Sequence, residues 1–264
     1  WVLGEARTLE GVGRAQGATV HEGKLYVYGD AASGVIVEFT LDLQPTGRRI
    51  FLTRGGHDLI SHPTGLTFHP QYGTYIGDSL WGWFGRGADI YQIDWERALV
   101  EGNLDHAVRA KIKDDRARSG TRPEFVRLGE RWLLATADYR EDSEVRLYDP
   151  VKLRNGGKTS EEGVLVGSFQ LKGRTQSLVW EDETGWLYCV QNPGRGRGWR
   201  IVVLDLEKAQ EAGRSDAPGV LIEQIEFDFD SELEGLAFLG SDRALFLTSD
   251  RRNNARLARL EPLR

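Results

Sequence analysis

The chain contains no methionine and a single cysteine among its 264 residues. One thiol excludes an intrachain disulfide framework. Cys189, inside the apolar run Trp186–Val190, reads as a buried, inert side chain. Methionine is missing even at position 1, where the chain opens on Trp1. That opening reads as the trace of a segment removed upstream and favours an exported, extracytoplasmic protein. The apolar interior must then come from Val, Ile, Leu, Phe and Trp, whose shapes specify packing more strictly than Met does. No apolar run approaches the roughly 18 residues that a membrane helix needs, so no transmembrane segment is expected. Basic charge is also short. Lys and Arg number 34 against 40 Asp and Glu, a net charge of −6, and no basic stripe is visible, which argues against a nucleic-acid partner. His-Glu-x-x-His, paired Cys-x-x-Cys, Gly-x-Ser-x-Gly and P-loop motifs are all missing. The glycines of Gly11–Gly17 have the wrong spacing for a dinucleotide loop and precede a strand rather than a helix.

What the chain does have is a repeat. The segments Gln16–Asp30, Thr64–Asp78, Glu124–Asp138, Gln176–Asn192 and Glu234–Asp250 share one plan: a polar opening, an apolar run, a polar turn, a second apolar run and a closing Asp or Asn. A third run follows each segment and ends on an acid, at Asp42, Asp94, Asp149, Asp205 and Glu261, with intervals of 52, 55, 56 and 56. Fourth runs fit at Arg48–Thr53, Ala107–Lys113, Val164–Leu171 and Val220–Asp228. These runs alternate apolar and polar residues or are short and rich in Val, Ile, Tyr, Phe and Trp, both of which are strand patterns. Only Asp94–Asn103 reads as a helix, of about two turns at 3.6 residues each. The fifth unit lacks a fourth run, and Trp1–Leu9 is free to supply it.

Five four-stranded units with a strand shared between the chain ends predict an all-β, five-bladed β-propeller in which the N-terminal strand closes the last blade and leaves no open edge at the seam. The whole chain is then one domain, with blades over about 10–54, 55–114, 120–172, 173–230 and 231–264 plus 1–9. A six-bladed ring with one degenerate blade, or a pair of β-sandwiches, would give a similar pattern.

In a propeller the start of the first strand and the end of the second lie at one rim. The repeat therefore predicts an inner ring of Gln16, Thr64, Glu124, Gln176 and Glu234, and beside it a second ring of Asp30, Asp78, Asp138, Asn192 and Asp250. His62, Arg122 and Glu232 enter on nearby loops. Oxygen-rich clusters suit a hard cation such as Ca²⁺ and hydroxylated or phosphorylated ligands. Asp and Asn after a strand equally serve as turn residues that bond nearby backbone. Two loops at the same rim are elaborated. Ser79–Arg86 carries Trp81, Trp83 and Phe84, suited to stacking, and Pro193–Arg200 carries Arg195 and Arg197, suited to clamping an anion, with Arg251 and Arg252 in the matching loop of the fifth unit. His21 and His69 belong to the opposite turns.

Glu234-Gly-Leu-Ala-Phe238 resembles blade openings of the gluconolactonase (senescence-marker-like) and esterase-like phytase propellers, and Gln16-Gly17 with Lys24-Leu-Tyr26 is similar to the opening of glutamine cyclotransferases. These families imply metal-assisted hydrolysis or cyclisation at the channel mouth. The resemblance implies Glu234 as a metal ligand, with Asn192 and Asp250 in the places of later Asn and Asp ligands. Three functions are therefore expected as alternatives. The first is a module binding a small polar or anionic ligand, a glycan or a phosphate, through Gln16, Thr64, Trp81, Trp83, Arg122, Gln176, Arg195, Arg197 and Arg251. The second is a hydrolase of the lactonase or phosphoesterase type, with Asp78, Asp138, Asn192, Glu234 and Asp250 holding Ca²⁺ or another divalent cation and with His62, Glu124 and Glu234 as catalytic groups. The third is a scaffold for a protein partner.

Overall fold

The computed structural model describes residues 1–82, 85–155, 157–193, 198–228 and 231–260, and of residues 81, 82, 85 and 86 the backbone alone. Strand β1 (Val2–Arg7) is held over for the last blade. Blade one is β2 (Arg14–His21), β3 (Lys24–Asp30), β4 (Gly34–Phe39) and β5 (Pro45–Phe51), followed by a small hairpin of β6 (Thr53–Arg54) and β7 (His57–Asp58). Blade two is β8 (Pro63–His69), β9 (Gly73–Gly82), β10 (Gly85–Ile93) and β11 (Val108–Lys113). Blade three is β12 (Glu124–Leu128), β13 (Arg131–Ala137), β14 (Asp142–Tyr148) and β15 (Leu165–Lys172). Blade four is β16 (Arg174–Glu181), β17 (Trp186–Asn192), β18 (Trp199–Asp205) and β19 (Leu221–Phe227). Blade five is β20 (Leu233–Phe238), β21 (Arg243–Thr248) and β22 (Ala255–Arg259), completed by β1. The fold is a five-bladed β-propeller with four-stranded blades.

The core is five layers, one between each pair of neighbouring blades. Along β3, Tyr26 and Tyr28 pack towards blade two with Leu66, Ile76 and Trp95, while Leu25 and Val27 pack towards blade five with Ala237, Leu245 and Leu247. Successive strand residues point to opposite faces, so a sheet sandwiched between two others must be apolar on both. This is why the inner strands read as continuous apolar runs rather than alternating ones. Each fully buried Val, Leu, Ile or Phe contributes about 1.5–3 kcal/mol relative to exposure.

The ring closes as the spacing predicts. β1 pairs antiparallel with β22, Leu3 opposite Ala258 and Arg7 opposite Ala255. Trp1 lies edge-on to Phe246 at 5.7 Å. Beyond β1, the buried Asn254 side chain acts as a substitute strand. Its Oδ1 accepts from Leu9 N at 2.7 Å, and its Nδ2 donates to Leu9 O at 3.1 Å.

Where the sequence pattern shows one helix, the described residues form three: α1 (Trp95–Glu101), α2 (Pro150–Asn155) and α3 (Leu206–Ala212), each after a third strand. The regularly spaced acids explain them. Asp94 Oδ1 accepts from Arg97 N, Asp205 Oδ1 from Lys208 N, and Asp149 Oδ1 from Val151 N and Lys152 N. A carboxylate at that position satisfies backbone donors that the first helical turn leaves unpaired. The strongest periodic signal in the sequence is thus a structural device, and it lies at the rim opposite the starts of the first strands.

Candidate functional site

At the rim where the first strands begin, the polar openings occupy bulges. Gln16 falls between Ala15, opposite Gly29, and Gly17, opposite Tyr28. Gln176 falls between Thr175, opposite Gln191, and Ser177, opposite Val190. Glu234 falls between Leu233, opposite Thr248, and Gly235, opposite Leu247. Thr64 lies in the wider irregularity between Pro63 and Leu66. An extra residue bends the strand and re-aims a side chain. Gln16, Thr64, Gln176 and Glu234 are all buried here. The first strands approach closely: a Cβ on Gly235 would meet Gly17 Cα at 2.7 Å, and one on Gly17 would meet the Tyr28 side chain.

The best-connected group at this rim is Glu232, on the loop entering β20. Its side chain is exposed, yet one oxygen, Oε1, accepts from Gln176 Nε2 at 3.0 Å, Tyr139 Oη at 3.0 Å and Asn192 Nδ2 at 3.2 Å. Those donors come from blades three and four and Glu232 from the entrance to blade five. Behind it lies Glu234, whose carboxyl is pushed well above the usual range by burial and then by the neighbouring Glu232, to which it hydrogen bonds. Burial, and then Glu232, raise the Tyr139 hydroxyl to about 12. Burial lowers the Arg122 guanidinium to about 10. Its donors are committed to Gln176 O at 3.1 Å and Ser119 O at 3.3 Å, with Gln176 Oε1 at 3.5 Å, and its guanidinium lies 5.5 Å from the Tyr139 ring centre. Sequence reasoning placed Glu232 only as a nearby loop residue and missed Tyr139, which directly follows Asp138 and carries no repeat signal.

The Asp and Asn ring serves largely to fasten loops. Asp78 Oδ1 accepts from His62 N at 3.1 Å, and burial raises its carboxyl to about 6. Asp138 Oδ1 accepts from Arg118 N at 2.9 Å and Ser119 N at 3.1 Å, and its Oδ2 takes Arg146 Nη1 at 2.8 Å. Asn192 Oδ1 accepts from Leu233 N at 3.1 Å. In blade five Thr248 holds the position opposite Leu233, and Asp250, two residues on, accepts from its hydroxyl. Not every oxygen is used in this way: Asp78 Oδ2 and Asp30 Oδ1 are buried without a hydrogen-bond partner, and among the described residues no three His, Cys, Asp or Glu side chains are grouped to hold a metal.

Glu124 is not part of the rim. It pairs with Ala135, three residues before Asp138, as Thr67 pairs with Tyr75 three before Asp78 and Leu178 with Cys189 three before Asn192. It lies deeper along the channel strands, and the rim position in blade three is held by Arg122. Equating the polar openings by sequence shifted this blade, because its first strand is short and its entering loop, with Pro123, is irregular. His62 does reach the rim, its Nδ1 3.5 Å from Asp30 Oδ2 of the neighbouring blade. Thr64 Oγ1 donates to Thr121 O. Arg251 and Arg252 are exposed at the seam, lining a cavity of about 650 Å³ with Thr8, Glu10 and Asp30. Trp81 is placed by its backbone alone, opposite Arg86 in the β9–β10 hairpin. Trp83, Phe84, Arg195 and Arg197 lie outside the described residues.

No family model and no curated protein matches the chain. Solved structures do. The PQQ-bound aldose sugar dehydrogenase of Streptomyces coelicolor superposes with a TM-score of 0.51, over 97% of this chain and 96% of that one, at 13% identity. The likeness is one of fold. The β-propeller domain of Cps50 (Swd1) from Myceliophteria thermophila gives a TM-score of 0.45 over 99% of this chain and 69% of that one, at 15% identity. A chain of a mitotic checkpoint complex gives 0.46 over 92% and 63%, at 13%. A shared fold does not carry a function with it.

Proposed function

We propose that the chain binds a small, polyhydroxylated, uncharged ligand of the sugar class at the channel mouth, around Glu232. The observation that carries this reading is the junction of three blades on a single oxygen of an exposed carboxyl group. A side chain fixed by Tyr139, Gln176 and Asn192 is already ordered, so a ligand meets little entropic cost in using it. Glu232 and Asp30 bring carboxyl oxygens to the mouth with Glu234 behind them, while Arg122 Nε, Nη1 and Nη2 each donate to a protein oxygen of Gln176 or Ser119. Vicinal hydroxyls suit such a surface better than a phosphate does.

The Glu232–Glu234 pair favours a second reading, acid–base hydrolysis of a glycoside or ester at the same mouth. A buried acid held well above the ordinary range, as Glu234 is, can supply a proton beside a second carboxyl group. Thermal melting with a panel of neutral monosaccharides and with inorganic phosphate tests the binding reading. A sugar is expected to raise Tm by mass action on the native state, with phosphate silent and the shift abolished in Glu232→Ala. A phosphate response, or a sugar response retained in Glu232→Ala, would contradict it. Turnover of a chromogenic substrate that is lost in Glu234→Gln would establish the second reading.

A further inference from the structure

On the face opposite the Glu232 mouth, the β8–β9 turn, the start of β13 and the end of β16 surround a cavity of about 660 Å³. Its walls are Phe68, His69, Phe125, Trp132 and Trp180, and Glu124 lines it too. The walls are fixed by their neighbours. Phe68 is stacked on His21 at 4.0 Å and lies edge-on to Trp95 at 4.8 Å. The His69 ring is 4.8 Å from Trp132 and 5.1 Å from Phe125. The Glu124 carboxyl accepts from the backbone N–H of Trp180 and from the Thr67 hydroxyl, and among the described residues it makes no ion pair with a Lys or Arg. Desolvation raises it to about 8. The titratable groups beside it are Tyr28, whose hydroxyl is raised by burial and then by Glu124, and His69, which burial lowers. Neither is cationic above neutral pH.

An open aromatic cavity with one carboxyl group and no Lys or Arg in its lining is chemically incomplete in one respect. Aromatic faces attract a positive charge through their quadrupoles, and a desolvated acid gains most from a counter-charge brought to it. We infer that this pocket is a ligand site separate from the channel mouth, and that its ligand is an organic cation of the quaternary-ammonium class, held by Trp132, Trp180 and Phe125 and countered by Glu124. The cation favours the ionised acid, so its binding releases a proton near neutral pH and tightens as pH rises towards the value at which free Glu124 ionises.

The probes are choline chloride and its uncharged isostere 3,3-dimethylbutan-1-ol, titrated calorimetrically into the intact chain. Choline is expected to bind at least about tenfold more tightly than the isostere. Its affinity is expected to rise between pH 6 and 9, flanking the value of about 8. Glu124→Gln, with folding checked by its melting transition, is expected to remove both the preference and the pH dependence. Trp132→Ala, at a half-buried wall, is expected to weaken both probes. Equal binding of the two probes, no binding of choline, or choline affinity unchanged in Glu124→Gln would overturn the inference. The comparison of probes on the unaltered chain needs no variant.

Discussion

Single buried residues are constrained by charge and by space. Arg146 is buried between Asp138 at 2.8 Å and Asp114 at 3.5 Å. Removing one member of such a group leaves an uncompensated buried charge, so Arg146→Met is expected to cost about 3–5 kcal/mol in urea denaturation. A loss within the ordinary surface range would show that water reaches those carboxylates. Gly235 faces a different limit, because an added Cβ would meet Gly17 backbone rather than a movable side chain. Gly235→Ala is expected to lower Tm sharply, whereas Gly129→Ala, with open space around it but a positive φ of 57°, is expected to cost only the conformational strain. Glu124 links stability to pH. Its native value of about 8 lies above the ordinary glutamate value of 4.5, so the folded chain keeps a proton that the unfolded chain has lost. That contribution is fully present below about 4.5 and is lost as pH rises through about 8. The Tm difference between Glu124→Gln and the unaltered chain should therefore become more favourable to the variant from pH 5 to pH 9. A difference flat with pH would mean that Glu124 is solvated.

At the scale of elements, the sequence is informative wherever both faces of a strand are buried and silent where a contact depends on which loop lies next to which. The five repeated runs and the free strand at Val2–Arg7 are legible because burial on both sides demands apolar runs at a fixed period. The helices α2 and α3 are short, and their apolar stripe is only Leu153 in one and Leu206 with Ala209 in the other, too little to register as a 3.6-residue period. Their N-terminal acids are visible, yet an acid after a strand does not announce whether it caps a helix or binds a ligand. Most of the candidate site was hidden for the same reason. Asp78 and Asp138 fasten loops, Arg122 rather than Glu124 stands at the rim, and the convergence on Glu232 joins residues 56, 93 and 40 positions away. Asn254 is another element-level device without a sequence signature. Asn254→Ala would strand the N–H and C=O of Leu9, at about 1–3 kcal/mol for each buried group left unpaired. Hydrogen exchange should then quicken first along β1 and β22, and uniform quickening across all blades would contradict a local role.

The whole molecule is a closed ring in which each blade is stabilised by its two neighbours. Stability should therefore fail cooperatively when one junction is opened. Removing residues 1–9 takes away β1, the Trp1 contact with Phe246 and the Leu9 partner of Asn254 together, and it is expected to unfold the entire ring in one transition rather than fray blade five alone. Two transitions in calorimetry would show blades that fold independently. Closure also brings the starts of five strands to one rim, and it is there that the exposed, triply held Glu232 faces solvent. The most direct test of the function is a crystal structure of the chain soaked with the monosaccharide that raises its Tm most. The sugar's hydroxyls are expected on Glu232, with its ring near Tyr139. A sugar bound at the Arg251–Arg252 seam or on the Glu124 face, with the Glu232 mouth holding only water, would contradict it.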